Sequence, residues 1–263
     1  MASPILGRGA RLARRCHDGA MVDHRDLEWD GCLNVRDLGD LPAADGGRTR
    51  PGAVVRGDHP RYLTPSGWAA LWDYGIRTVV TLETDNAPPD ANVGIRDHFD
   101  VRDHRPGLTQ VRVGIEDGGD AEFMARWAET GLWGTPLYYA DALERWPQRH
   151  ARLVAAVAHA APGGVLLHCA RGCDRTGIAA LVLLALAGVA PADIAADYAR
   201  SAPRLAPREP EYRKWLDATL AERGTSVTRV VTEVAAALDV AAYLRRGGLT
   251  DADIGLARGR LAG

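Results

Sequence analysis

The stretch Val165-Leu166-Leu167-His168-Cys169-Ala170-Arg171-Gly172-Cys173-Asp174-Arg175-Thr176-Gly177 decides the fold. Its first four residues follow the break Pro162-Gly163-Gly164 and read as a short buried strand. From Thr176 an apolar helical pattern runs to residue 187 and stops at Gly188. A loop between a buried strand and a helix can aim several backbone N–H groups at one anion, with the positive end of the helix dipole behind them. Arg175, at the helix start, adds a planar fork for two oxygens of that anion. Cys169 opens the same loop, and thiolate is the nucleophilic form of cysteine. The Cys-x5-Arg spacing therefore sets a nucleophile and a phosphate clamp in one turn of chain. It points to attack on a phosphate monoester.

Working outward, short β-branched runs alternate with longer helical stretches, the pattern of an α/β layer fold. Residues 53–56 read as a strand. Thr64 then suits an N-cap and Pro65 a first helical position, for a helix to about Tyr74 that ends at Gly75. Residues 76–82 (IRTVVTL) are a second buried strand and 111–115 a third, with an irregular polar stretch over 83–107 between them. Residues 120–130 and 136–161 read as helical. Pro191 starts a further helix, and from about Glu211 the pattern is helical, with breaks at Arg223-Gly224 and Gly247-Gly248. The expected architecture is α/β: a central, mostly parallel four- to five-stranded sheet flanked by helices, with a helical C-terminal third.

Charge and composition narrow the function further. The formal net charge of −2 argues against a nucleic-acid binder. Lys214 is the one lysine, so arginine carries the positive charge. The four cysteines, Cys16, Cys32, Cys169 and Cys173, form neither a disulfide framework nor a zinc set, and they favour a reducing, cytoplasmic setting. Export by a non-classical route stays open. The longest apolar run, 177–190, is too short to cross a bilayer, so no stable membrane insertion is expected. Residues 1–27, with Arg8, Arg11, Arg14 and Arg15, read as a flexible basic tail without a secretory signal, ahead of a single domain over 28–263.

His-Cys-x5-Arg-Thr-Gly resembles the signature of the cysteine-based protein tyrosine phosphatase superfamily. With Asp directly before the Arg, it is similar to bacterial tyrosine and phosphoinositide phosphatases of the secreted mycobacterial and Listeria type. Asn34-Val35-Arg36-Asp37-Leu38-Gly39 resembles that group's N-terminal motif. Val55-Arg56-Gly57-Asp58, the stretch from Leu63 to Val80 and Asp197-Tyr198 fit its further blocks, so the resemblance covers roughly residues 28–260. It implies hydrolysis through a phosphocysteine, on phosphotyrosine proteins with dual specificity in reach, or on phosphoinositides or small phosphates. It implies Cys169 as nucleophile, Arg175 as clamp and Asp174 as in-loop general acid. Ala170, Arg171, Gly172 and Cys173 complete the phosphate loop. His168 would orient that loop, Thr176 would hydrogen-bond the sulfur, and Arg36 with Asp37 would brace it. No cofactor and no metal are expected. Three departures stand out: Cys173 where the family usually has Lys, Arg171 where it usually has Ala, and Thr81-Leu82-Glu83 where a strand usually ends Asp-Leu-Arg.

Other readings compete with these. Asp174 also suits a helix N-cap, and Asp117, Asp120 and Asp141 are rival acids. Cys169 and Cys173 could form a redox pair, or the loop could bind phosphate without turnover. A rhodanese-like sulfur transferase fits the His-Cys start and Arg-Thr-Gly end poorly. Asp97, His98, Asp103 and His104 read as a solvated charged loop rather than a metal site. Trp127, Trp133, Tyr138 and Tyr139 read as core or lid residues, with the wall of an aryl pocket as the sharper alternative.

Overall fold

The computed structural model describes residues 24–87 and 99–263. Its centre is a five-stranded sheet of β1 (Arg36–Asp37), β2 (Val54–Gly57), β3 (Ile76–Asp85), β4 (Thr109–Asp117) and β5 (Gly164–His168) in the order β1-β2-β5-β3-β4. Every pairing is parallel except β1 with β2. The strand that carries His168 thus lies in the middle, paired on both sides and buried along its length. That placement suits a run without polar alternation, and it delivers Cys169 to the carboxyl end of the sheet, where α/β folds build their sites.

One face of the sheet carries α1 (Pro65–Asp73), which starts as expected: Thr64 Oγ1 accepts from Gly67 N at 3.3 Å and Pro65 is the first helical residue. Helix α2 (Val101–His104) packs near it, with the His104 ring stacked on Trp68 at 5.3 Å. A smaller core of Trp29, Val55, Trp68, Leu71, Val79 and Leu166 fills this side. Helix α3 (Ala121–Phe123) runs on into a π-helical turn, Met124–Ala128, in the 120–130 stretch. The long helix expected over 136–161 is two, α4 (Tyr139–Arg145) and α5 (Pro147–Ala158), because Pro147 has no N–H to continue a ladder through Trp146.

The larger core lies on the other face. There α6 (Asp174–Leu186) is buried all round, and later helices wrap it: α7 (Pro191–Ala199), α8 (Ser201–Leu205), α9 (Tyr212–Ala221), α10 (Val227–Ala237), α11 (Val240–Arg246) and α12 (Asp251–Leu261). The breaks expected at Arg223-Gly224 and Gly247-Gly248 fall between helices. Residues 83–107, expected to be irregular, begin with the end of β3 and hold α2. Among the described residues no helix is long and apolar enough to cross a membrane. Cys16, Asp97, His98 and the first 23 residues of the expected tail lie outside the described residues. Residues 24–27 are held against the domain: Leu27 N donates to Val35 O at 3.2 Å, and the backbone of Asp26 pairs with that of Arg36 in an isolated antiparallel β-bridge.

Candidate active site

The chain leaves β5 at His168, turns through 169–173 and enters α6 at Asp174. Gly172 makes the turn in the left-handed region, φ +68°, and a Cβ there would lie 2.2 Å from Gly57 O. Only glycine fits. The loop's carbonyls are all taken from behind. Ala170 O accepts from His59 N at 3.1 Å. Arg171 O accepts from Asn34 Nδ2 at 3.0 Å, and Gly172 O from Asn34 Nδ2 at 3.1 Å and Arg56 Nη2 at 2.8 Å. Cys173 O accepts from Arg56 Nη2 at 3.3 Å. By contrast, the N–H groups of 170–173 have no acceptor among the described residues. Carbonyls anchored to the scaffold and amides left over are what an anion cradle requires.

The anchors form a buried ionic cluster. Asp197, on α7, accepts from Arg36 Nε at 3.0 Å, Arg56 Nη1 at 2.8 Å and Arg25 Nη1 at 3.2 Å. Arg36 also donates to Asn34 Oδ1 at 2.6 Å and to Ser201 Oγ at 3.0 Å. Burial pushes the Asp197 carboxyl upward, but Arg36 and Arg56 outweigh it and hold it well below the usual carboxylate range. Three guanidiniums on one carboxylate leave an excess of positive charge under the loop.

His168 has a defined tautomer. Gln110 Oε1 accepts from Val101 N at 3.0 Å, which turns the Gln110 amide NH₂ towards Thr81 Oγ1 at 3.1 Å. The Thr81 hydroxyl, having accepted there, donates to His168 Nε2 at 2.9 Å. His168 therefore carries its proton on Nδ1 and donates to Cys169 O at 3.2 Å. Burial, then the neighbouring His59, keeps the ring neutral by holding its pKa well below the ordinary value. Thr81→Val should lower the urea unfolding free energy by about 1–3 kcal/mol, since it strands buried polar groups. Thr81→Ser should restore most of it. A valine variant within ~0.5 kcal/mol of wild type would show that the relay carries no such weight.

Arg175 and Asp174 open α6. Arg175 Nη1 donates to Leu82 O at 3.3 Å and its Nε lies 3.9 Å from Glu116 Oε2. Glu116, 1 % exposed, also accepts from Tyr138 Oη at 2.7 Å and Thr84 Oγ1 at 2.8 Å. Asp174 is positioned through its backbone, its carbonyl accepting from Tyr139 Oη at 2.7 Å. That ring reaches it because Gly177 has no side chain: a Cβ there would lie 2.3 Å from Tyr139 Oη. Burial dominates the Asp174 carboxyl and raises it to about 6; Arg171 opposes the rise, Glu116 adds to it, and Arg175 and Tyr198 oppose it. The rival acids are employed elsewhere. Asp117 accepts from Asn86 and Gly119 N, and Asp141 from Trp127 Nε1 at 2.6 Å and Arg145 Nε at 2.7 Å. Burial pushes both upward, but these donors hold them below the usual value. Asp120 caps α3 through Phe123 N at 3.0 Å and pairs with Arg145.

Several expectations need correction. Asp37 does not brace the phosphate loop with Arg36. Adjacent strand residues face opposite ways, and Asp37 accepts from Gly39 N at 2.8 Å and Gly52 N at 2.6 Å, pinning a turn. Thr176 Oγ1, expected to bond the Cys169 sulfur, is buried with no partner among the described residues. Cys173 points into the helical core, 3.4 Å from Tyr212 Oη and 3.7 Å from Tyr198 Oη, and burial pushes its thiol up to about 12. Tyr138, Tyr139 and Trp127, by contrast, are core residues as expected, with Trp133 packed against them. Asn34, Arg56, Thr81 and Asp197 stand in the stretches quoted above, but the sequence assigns them no role, and Glu116 stands in none; their partners lie far off in sequence, as with Arg36 and Asp197, 161 residues apart. The family blocks that hold Asn34, Arg56 and Asp197, and the departure at Thr81, are the signals that point to them.

A family model described as the tyrosine phosphatase family matches residues 27–263. A protein of Cupriavidus necator named "Putative tyrosine-protein phosphatase H16_A0669" is 32 % identical over 180 residues, 67 % of this chain and 63 % of that protein's length. The triple specificity protein phosphatase PtpB of Mycobacterium tuberculosis is 28 % identical over 279 residues, 90 % of this chain and 99 % of its own. The chain belongs to the tyrosine phosphatase family.

Proposed function

We propose that this member of the tyrosine phosphatase family hydrolyses phosphate monoesters through a phosphocysteine on Cys169, with phosphotyrosine proteins as the main substrate class. The observation that carries the reading is the loop itself: its carbonyls are tied to Asn34, Arg56 and His59, its amides meet no acceptor among the described residues, and Cys169 and Arg175 stand at its two ends. The Cys169 thiolate attacks phosphorus while Arg175 and the amides hold the non-bridging oxygens. The bond to the leaving oxygen breaks, and that oxygen takes the Asp174 proton. Water then attacks the phosphocysteine, gives its proton to the Asp174 carboxylate, and the phosphorus–sulfur bond breaks to release inorganic phosphate.

A wider range, taking in phosphoserine and phosphoinositides, is the second reading. It rests on the half-buried cation Arg171 in the loop and on the triple specificity named for the mycobacterial relative. We read 28–263 as one catalytic unit. We also place the protein in a reducing, cytoplasmic setting, in keeping with Cys32, Cys169 and Cys173 being free thiols. The test is acid quenching during turnover of a ³²P-labelled phosphotyrosine peptide, followed by peptide mapping. Label should appear on the peptide bearing Cys169, and rates on phosphotyrosine, phosphoserine and a soluble phosphoinositide rank the substrates. Burst kinetics without label on Cys169 would overturn the reading.

A further inference from the structure

Arg171 stands where the family usually has alanine, and its surroundings show what this cation does. Its Nε lies 2.8 Å from Glu209 Oε2 and 3.2 Å from Glu209 Oε1, and its guanidinium sits over the Tyr212 ring, 4.8 Å from the centroid. Its Nη1 is 3.9 Å from Asp174 Oδ2, beyond hydrogen-bond reach. One cation therefore faces two carboxylates and is bound to the outer one. The segment bearing Glu209 is fixed by its neighbour: Arg208 donates to Asp58 at 2.8 Å and to Gly31 O at 2.9 Å, and it packs on Tyr62.

We propose that Glu209 is a positioning residue for the proposed reaction: by binding Arg171 over Tyr212, it keeps that guanidinium from closing on Asp174 and so preserves the acid's proton. The proposal rests on Asp174 being the general acid. A direct Arg171–Asp174 bond would favour carboxylate, the form that cannot protonate a leaving group. The remaining charges near Asp174 are accounted for. Glu116 on β4 favours the protonated form, and Arg175 on its own helix favours the ionised one. Tyr198 on α7 and Tyr212 on α9 place hydroxyls 3.4 and 3.5 Å from Oδ1, while Tyr139 on α4 and the Cys173 thiol are neutral neighbours. Arg171 differs in its geometry: its second carboxylate, Glu209, lies at hydrogen-bond distance while Asp174 lies 3.9 Å away.

The sign follows. The first step needs protonated Asp174, so rate on a poor leaving group is present below the acid's pKa and lost as pH rises through it. Glu209→Gln should move this basic limb of kcat/KM to lower pH. At pH 7 it should cost about three- to tenfold on an alkyl phosphate and less than about twofold on para-nitrophenyl phosphate, the scale of a half-exposed ion pair acting on a proton donor. Arg171→Ala should move the limb upward, and adding Glu209→Gln to it should move it no further. An equal downward move in both backgrounds would show that Glu209 acts directly rather than through Arg171, and would overturn the proposal. So would an unchanged limb in Glu209→Gln. Asp174→Asn is run alongside: equal losses on aryl and alkyl substrates there would mean that the acid assignment itself fails. Discrimination in Asp174→Asn without a Glu209 effect would mean that only the present proposal does. Thermal unfolding of each variant within a few degrees of wild type certifies the fold.

Discussion

Cys169→Ser is expected to remove turnover almost entirely while leaving phosphate binding nearly intact. A serine hydroxyl at this position draws no base from His168, which is buried, neutral and committed to Thr81 and the Cys169 carbonyl, and a hydroxyl is far less acidic than a thiol. Loss of a covalent nucleophile costs on the order of 10⁴-fold or more in kcat. The loop's shape does not depend on the sulfur. Asn34, Arg56 and His59 hold its carbonyls, and Arg175 stays on Leu82 O. Inorganic phosphate titrated calorimetrically should bind the variant within about fivefold of wild type, a difference of about 1 kcal/mol. A serine variant retaining several per cent of the wild-type rate on para-nitrophenyl phosphate would remove Cys169 from the role of nucleophile. It would favour water attack in a phosphate-binding loop.

Asp174→Asn has the second largest expected effect, and the effect depends on the leaving group. With its pKa raised to about 6, the wild-type carboxyl can serve as acid and then as base near neutral pH, which few carboxylates can. A phenolate leaves with little help, so aryl phosphates should slow modestly. An alkoxide does not, and alkyl phosphates should slow by about 10²–10⁴-fold, the usual worth of a positioned acid. The basic limb governed by this group, seen on alkyl substrates, should vanish. Asparagine keeps the first helical position and the Tyr139 bond to the backbone carbonyl. Equal loss on both substrate types would therefore point to a damaged loop rather than a missing proton.

The parts of this molecule that were legible in its sequence are those in which neighbours along the chain decide the outcome. The run from Val165 to His168, the cap at Thr64 with Pro65, and the Cys169–Arg175 spacing each fix a local geometry without help from elsewhere. Pro147 could have been read the same way, as the break that divides one long helix into two. What escaped notice is long-range. Glu116 sits beside Asp117, which drew attention as a rival acid, yet only the β3–β4 register turns Glu116 inward to Tyr138 and Arg175. Arg36 and Asp37 looked like a pair because they are adjacent, and the pleat of a two-residue strand sends them to different tasks. Asp197 stands in a stretch that resembles the family's, yet its part as an anchor emerges only when α7 lays it against β1 and β2.

That last arrangement bears on the order in which the protein acquires its competence. Asn34 meets Arg171 across 137 residues, Arg25 meets Asp197 across 172, and Arg208 meets Asp58 across 150. Closing such distant contacts is slow compared with forming the helices between them. During synthesis the nucleophile's own strand, loop and helix precede α7 and the 206–211 segment in the chain. Until then Arg36 and Arg56 lack Asp197, and two unpaired guanidiniums repel each other rather than converge beneath the loop. The loop's anchoring thus depends on residues drawn from both ends of the chain, and a chain cut before residue 197 is expected to hold the Cys169–Arg175 segment without it.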